Sequence, residues 1–308
     1  MAGGKRKIFI VMGTRPEALK LAPVVQALRA RPERFDVCVC ATGQHREMLD
    51  QALTFMALKP DYNLDIMAPD QGPGDVTARI LTGMNPLLRD YAPDLVIVQG
   101  DTGTAFAAAL GAYYLRIPVA HVEAGLRTGN NYSPWPEEGN RRLIAALTRF
   151  HFAPTEEARE NLLREGIDAA DIFVTGNTVV DALVDIKNRF AEDASLQRGK
   201  AEEFSFLDSA KRLILVTSHR RENFGDIMNG ICRALRQIVA AHADVELVYP
   251  VHLNPSVRGP VFDILGGSED PVANRIHLIE PVDYISFTYL MMRAHIILTD
   301  SGGVQEES

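Results

Sequence analysis

The feature that most constrains this chain is a recurring order: a short apolar run rich in β-formers, a turn, then a longer stretch with helical spacing. Residues 8–12, 37–41, 95–99, 118–123 and 172–175 each lead into such a turn. This alternation predicts a parallel sheet with helices on both faces. The intervening segments agree: Ala18, Leu21, Val24, Val25 and Leu28 recur at helical spacing, and residues 104–115 are rich in alanine. Leu95-Val96-Ile97-Val98 is almost continuously apolar, as expected of a central strand buried on both sides.

Between residues 176 and 204 the pattern turns polar and charge-rich, and then the alternation resumes with runs at 213–216, 245–249, 275–279 and 296–299. The expected fold is therefore α/β, with two Rossmann-like doubly wound domains, residues 1–177 and 178–308, facing each other across a cleft. In open α/β sheets ligands bind beyond the carboxyl ends of the strands, so function is sought in the residues that follow each run. No fixed-period repeat or low-complexity segment interrupts this organisation.

Composition narrows the possibilities. With 308 residues and 46% hydrophobic content the chain can bury two cores, and its net charge of -8 excludes a general binder of nucleic-acid backbones. Any phosphate must be met by a few local basic groups. The cysteines Cys38, Cys40 and Cys232 are odd in number, and the first two alternate with valines in a predicted buried strand, so neither disulfides nor a metal site is expected. The basic start Lys5-Arg6-Lys7 precedes an apolar run too short for a signal peptide or a membrane span, so the expected location is cytoplasmic, with no membrane partner.

The first run ends in Gly13-Thr14-Arg15-Pro16-Glu17. Glycine permits a close backbone approach to a ligand, proline suits the first helical position, and free N–H groups at a helix start favour an anion. Arg15 and Lys20 add positive charge there, although an ordinary strand-to-helix turn fits equally well. The run at 95–99 is followed by Gly100-Asp101-Thr102-Gly103, where Asp101 is either a cleft carboxylate or the cap of the next helix. His121-Val122-Glu123 puts two polar side chains on one face of a predicted strand, either as a site or as a hydrogen-bonded pair. Residues 128–140 form an irregular loop containing Pro134-Trp135-Pro136 and then Glu137-Glu138, which either supply a third carboxylate or simply favour the positive end of a helix. Three carboxylates converging in one cleft would repel one another, raise at least one pKa and set a protonated acid beside an ionised base.

In the second half, Ser218-His219-Arg220-Arg221 follows the run at 213–216, and Asp300-Ser301-Gly302-Gly303 follows the last run and opens a helix. Arginine binds two oxygens at once, histidine stabilises a departing diphosphate, and N–H groups at 301–303 suit phosphate oxygens, while a glutamate one turn on can accept from ribose hydroxyls. The best reading is a nucleotide-diphosphate site.

These segments, together with Gln44-His45-Arg46-Glu47-Met48, Ser133-Pro134-Trp135-Pro136-Glu137-Glu138 and Pro250-Val251-His252-Leu253-Asn254-Pro255, stand in the order and spacing of the non-hydrolysing UDP-N-acetylglucosamine 2-epimerases, which the chain resembles over almost its whole length. The resemblance implies the GT-B architecture and the interconversion of UDP-N-acetylglucosamine and UDP-N-acetylmannosamine without a metal, a nicotinamide or any other cofactor. It implies loss of the sugar C2 proton with departure of UDP, a glycal intermediate, reprotonation on the opposite face and re-addition of UDP. Asp101, Glu123 and Glu137 then correspond to the acid/base set and His219 to the group stabilising the leaving UDP. Arg15, Lys20, Arg141, Phe287, Ser301, Gly302, Gly303 and Glu307 correspond to substrate ligands, with Phe287 against uracil and Glu307 on the ribose. Gln44 and Arg46 correspond to residues of an adjacent activating site in some bacterial members. The implied partners are UDP-N-acetylglucosamine and UDP, in a homodimer.

Two departures stand out. Ser218 occupies a position where family members usually carry glycine. Family members also continue past the glutamates at 306 and 307, so the second domain is expected to be incomplete and a molecule ending at Ser308 to be unstable or poorly active through exposed sheet edge. The alternatives left open are a GT-B glycosyltransferase, a hydrolysing epimerase, and a nucleotide-sugar binding module inactive through truncation.

Overall fold

The computed structural model describes residues 4–43, 46–68, 71–266 and 271–307, without the side chains of 46–48, 51, 221, 306 and 307. The chain forms two units, Met1–Ala182 and Leu183–Ser308. In unit 1 the order is β1 (Arg6–Met12), α1 (Arg15–Arg29), β2 (Phe35–Ala41), α2 (Arg46–Phe55), β3 (Tyr62–Asn63), α3 (Pro73–Tyr91), β4 (Leu95–Gln99), α4 (Gly103–Tyr114), β5 (Val119–Val122), α5 (Glu137–Leu147), β6 (Phe150–Ala153), α6 (Glu156–Arg164) and β7 (Ile172–Val174). The helix α7 (Thr178–Glu192) crosses the boundary. Unit 2 continues with α8 (Ala194–Glu203), β8 (Arg212–Thr217), α9 (Asp226–Ala241), β9 (Val245–Pro250), α10 (Pro255–Leu265), β10 (Ile276–Ile279), α11 (Tyr284–Arg293), β11 (Ala294–Thr299) and α12 (Gly302–Glu307).

Among the described residues, unit 1 carries a parallel sheet in the order β3-β2-β1-β4-β5-β6-β7, and unit 2 one in the order β10-β9-β8-β11. Each is a doubly wound sheet whose strand order reverses once, between β1 and β4 in unit 1 and between β8 and β11 in unit 2. A crevice opens at such a reversal because the connections on its two sides leave toward opposite faces. The turns after β1, β4, β8 and β11 are therefore the ones placed to hold a ligand.

Phe9 and Val11, Cys38 and Cys40, and Val96 and Val98 alternate along three adjacent strands, so their side chains share one face and bury against Ile80, Met84 and Leu88 of α3 and Ala105, Ala108, Ala109 and Ala112 of α4. Alanine on α4 lets it lie close to both the sheet and α3. Cys38, Cys40 and Cys232 are free and buried. Burial pushes the thiols of Cys38 and Cys40 up to about 12 and that of Cys232 up to about 11, so all three stay protonated and unreactive.

Several expected boundaries shift. The strand expected over 118–123 is Val119–Val122, which leaves Glu123 outside it. The last strand begins at Ala294 and carries a register irregularity between Ala294 and Ile296. The strands β3 and β6 were not anticipated.

Gly13 is explained by packing between turns rather than by approach to a ligand. A Cβ there would lie 2.1 Å from Thr104 Oγ1 and 2.4 Å from Thr42 Oγ1, and those two hydroxyls are hydrogen-bonded to each other at 3.0 Å. Gly13→Ala is expected to cost about 1–3 kcal/mol by overpacking, read as a lower midpoint in urea unfolding. A midpoint equal to that of the parent would contradict this packing.

Candidate active site

At the reversal in unit 1, Glu17 ties the two turns together. This buried side chain accepts from the amides of Gly13 (2.9 Å) and Thr14 (2.8 Å) through Oε2 and from the Thr102 hydroxyl (2.7 Å) through Oε1. Burial raises its carboxyl above the ordinary value, against the lowering effect of these donors. Thr102 caps α4, its hydroxyl accepting from Ala105 N at 3.0 Å. The capping reading of Asp101 is thereby corrected, because its neighbour takes that role.

Asp101 is held from α5. The Arg141 guanidinium lies on its Oδ2, with Nε at 2.8 Å and Nη2 at 2.6 Å, while Asn140 Nδ2 donates to its main-chain oxygen at 2.8 Å. Arg141, carried over as a substrate ligand, meets two protein carboxylates, Asp101 and Glu138, in this structure. Glu123 follows β5 with a left-handed φ of 65°, a conformation that costs on the order of 1–3 kcal/mol for a non-glycine residue and marks functional turns. Its Oε1 accepts from Lys20 Nζ at 2.5 Å and Asn177 Nδ2 at 3.0 Å, and its Oε2 from Gln99 Nε2. Gly100, at φ 71°, turns the chain from the end of β4 into Asp101; a Cβ there would lie 3.7 Å from Glu123 Oε2.

The left-handed turn also removes Glu123 from the strand's two-residue period, so the expected His121–Glu123 pair does not form. His121 is buried, and its Nε2 meets Gly100 O at 2.7 Å. The His121 ring thereby supports the turn that carries Asp101. Asp101 and Glu123 each meet a cation, Arg141 and Lys20, which offsets repulsion among the three carboxylates. Glu137 opens α5, and its Oε2 is buried without a hydrogen-bond partner. Arg15, Asp101 and Glu137 together line a cavity of about 960 Å³ whose apolar wall includes Val76, Leu81 and Phe106.

In unit 2 the reversal is organised by Asp300, a residue to which the local sequence pattern assigns no role. Its carboxylate accepts from Ser218 Oγ (2.7 Å), His219 N (2.9 Å), Arg220 N (3.0 Å) and Asn223 Nδ2 (2.9 Å), and lies 3.4 Å from His219 Nδ1. Burial raises its carboxyl, but the Arg220 amide, the Ser218 hydroxyl, the Asn223 amide and the His219 amide together bring it below the ordinary value. Ser218 therefore contributes a bond that glycine would lack. The His252 ring stacks on His219 with centroids 5.7 Å apart. The Ser301 amide donates to Thr299 Oγ1 at 2.9 Å rather than pointing freely outward, while Gly302 and Gly303 are exposed at the start of α12. Phe287 lies in the first turn of α11, partly buried. Gln44 and the side chains of Arg46 and Glu307 lie outside the described residues. Among the described residues no cluster of histidine, cysteine and carboxylate side chains could hold a metal ion, and no helix is long and apolar enough to cross a membrane.

A family model described as UDP-N-acetylglucosamine 2-epimerase matches residues 26–308. The chain is 56% identical over 302 residues to the UDP-N-acetylglucosamine 2-epimerase of Salmonella typhimurium, covering 98% of this chain and 79% of that protein. Its fold is similar, with a TM-score of 0.87 and 46% identity, to the UDP-GlcNAc 2-epimerase of Neisseria meningitidis bound to UDP-GlcNAc, over 98% of this chain and 79% of that one. The Methanocaldococcus jannaschii UDP-GlcNAc 2-epimerase in complex with UDP-GlcNAc and UDP is similar at a TM-score of 0.75 and 36% identity, over 98% and 80% of the two chains. The two doubly wound units are thus those of a GT-B-type enzyme.

Proposed function

The chain belongs to the UDP-N-acetylglucosamine 2-epimerase family, and from that premise we propose that it interconverts UDP-N-acetylglucosamine and UDP-N-acetylmannosamine by eliminating UDP and adding it back. Inverting C2 requires removing a weakly acidic proton from one face and returning one to the other. Expulsion of UDP makes this feasible, because the C2–H electron pair becomes the C1=C2 double bond of a glycal while the C1–O pair leaves with the diphosphate. Protonation of C2 on the opposite face and attack of the diphosphate oxygen at C1 complete the cycle without net hydrolysis.

The observation that carries this reading is the set of carboxylates in unit 1 at and beside the strand-order reversal. Asp101 and Glu123 emerge from neighbouring strands, each fixed by a cation, and Glu137 shares a cavity with Asp101. Such a set can take and return protons on two faces of one carbon. Arg15 lines the same cavity and offers positive charge to the substrate. In unit 2 the turn fixed by Asp300 carries His219 and Arg220, side chains able to stabilise a leaving diphosphate, with Gly302 and Gly303 opening the adjacent helix. Phe287 against uracil, Glu307 on ribose, an activating site at Gln44 and Arg46, a homodimer and a cytoplasmic location complete the proposal, all resting on the family resemblance.

Proton and phosphorus NMR of the protein with UDP-N-acetylglucosamine, without acceptor or added cofactor, tests the reaction. Two UDP-sugars differing at C2, with the diphosphate intact, are expected. Steady accumulation of free UDP and N-acetylmannosamine would instead identify a hydrolysing enzyme, and binding without turnover a binding module.

A further inference from the structure

Beside Glu137 stands a second glutamate that the proposed chemistry does not use. Glu138 is 0% exposed, which for a carboxylate requires a full complement of donors. Its Oε2 accepts from Thr128 N at 3.1 Å and Arg141 Nη1 at 3.2 Å, and its Oε1 from Gly129 N at 3.2 Å, with Arg142 Nε at 3.6 Å. Arg141 divides its guanidinium, placing Nη1 on Glu138 and Nε and Nη2 on Asp101. A guanidinium is planar and rigid, so fixing one edge fixes the direction of the other.

We infer that Glu138 is a positioning residue that acts through Arg141 to hold the Asp101 carboxylate in its working orientation. The inference rests on the reading of Asp101 as an acid/base group. The geometry favours a positioning role over a general structural one because the chain of contacts ends on that carboxylate. Asn140, on the same helix, fixes the Asp101 backbone from its carbonyl oxygen, so the turn is held by its main chain and only the side chain depends on Arg141. The Thr128 and Gly129 amides also make Glu138 the anchor of the loop that leads to Glu137, so one buried carboxylate bears on two of the three proposed acid/base groups. Without Glu138, Arg141 keeps its charge but loses the contact that sets its plane.

A double-mutant cycle on the full chain tests this, with Glu138→Gln, Asp101→Asn and the pair compared with the parent by steady-state epimerisation. Glu138→Gln alone is expected to lower kcat by about 10–100-fold with KM within about 2-fold, the size expected when an acid/base group is misplaced rather than removed. In the Asp101→Asn background the same change is expected to have no further effect, because there is no longer a carboxylate to orient. A purely structural role predicts equal fold losses in both backgrounds, and that result, or parental kcat in Glu138→Gln, would overturn the inference. Parental kcat in Asp101→Asn would instead remove the reading on which it rests. Arg141→Lys, which keeps the charge but cannot bridge two carboxylates, provides the same comparison if Glu138→Gln does not fold, with the same loss and the same non-additivity expected.

Discussion

Asp101→Asn is expected to lower kcat for epimerisation by about 10²–10⁴-fold, the range associated with one acid/base group, while KM and the unfolding midpoint change little. The substitution is nearly isosteric and preserves the hydrogen bond that Asn140 makes to the main-chain oxygen of residue 101. Arg141 loses its ionic partner at Oδ2 but retains Glu138, so the fold of the turn is kept and the loss falls on the chemical step. Steady-state kinetics with UDP-N-acetylglucosamine, alongside a urea melt, reads both quantities. An Asn variant within about 3-fold of parental kcat would remove Asp101 from the acid/base set, since one such group contributes at least 10²-fold.

Acidification from about pH 7.5 to pH 5 is expected to cost about 4 kcal/mol of stability through two buried histidines. His121 and His151 are register partners on β5 and β6, and both are 1% exposed. Burial lowers His121 to about 3 and His151 to about 4 from an ordinary 6.5. Their folded values lie below the unfolded one, so the stability they contribute is present above pH 6.5 and is lost as pH falls toward the folded values. By linkage each costs about 2 kcal/mol at pH 5, where the unfolded imidazole is almost fully protonated and the folded one is not. Protonation would also introduce a buried charge beside the Gly100 carbonyl that supports the Asp101 turn. Denaturant unfolding at the two pH values checks the sum, and His121→Gln is expected to remove about half of the pH-dependent part. A pH dependence unchanged in that variant would show that His121 titrates normally.

The central strands were legible because they are buried on both faces: Val96, Ile97 and Val98 are at most 5% exposed and read as one apolar run. The two-residue β3 offers no period to detect, and β6, Phe-His-Phe-Ala, hides a buried histidine inside an aromatic alternation. Strand ends were legible as places, but what their residues do depends on partners far away in sequence. Asp101 and Thr102 are both competent caps, and only the folded turn decides between them. The strand period was carried one residue too far at Glu123, because nothing local announces that β5 stops at Val122 and the next residue turns left-handed. Lys20 and Asn177 meet Glu123 across 103 and 54 residues, and Asp300 reaches the His219 turn across 81. Such pairings belong to the tertiary fold, and the strand-end rule locates their members without pairing them.

In the proposed reaction C2 is deprotonated and reprotonated while UDP is retained overall. The most direct measurement is incubation of the protein with UDP-N-acetylglucosamine in heavy water, followed by proton NMR of the recovered nucleotide sugars. Deuterium is expected at C2 in both the gluco and manno products, with UDP bound at C1 in each. Interconversion with the original proton retained at C2 would contradict the proposed reaction.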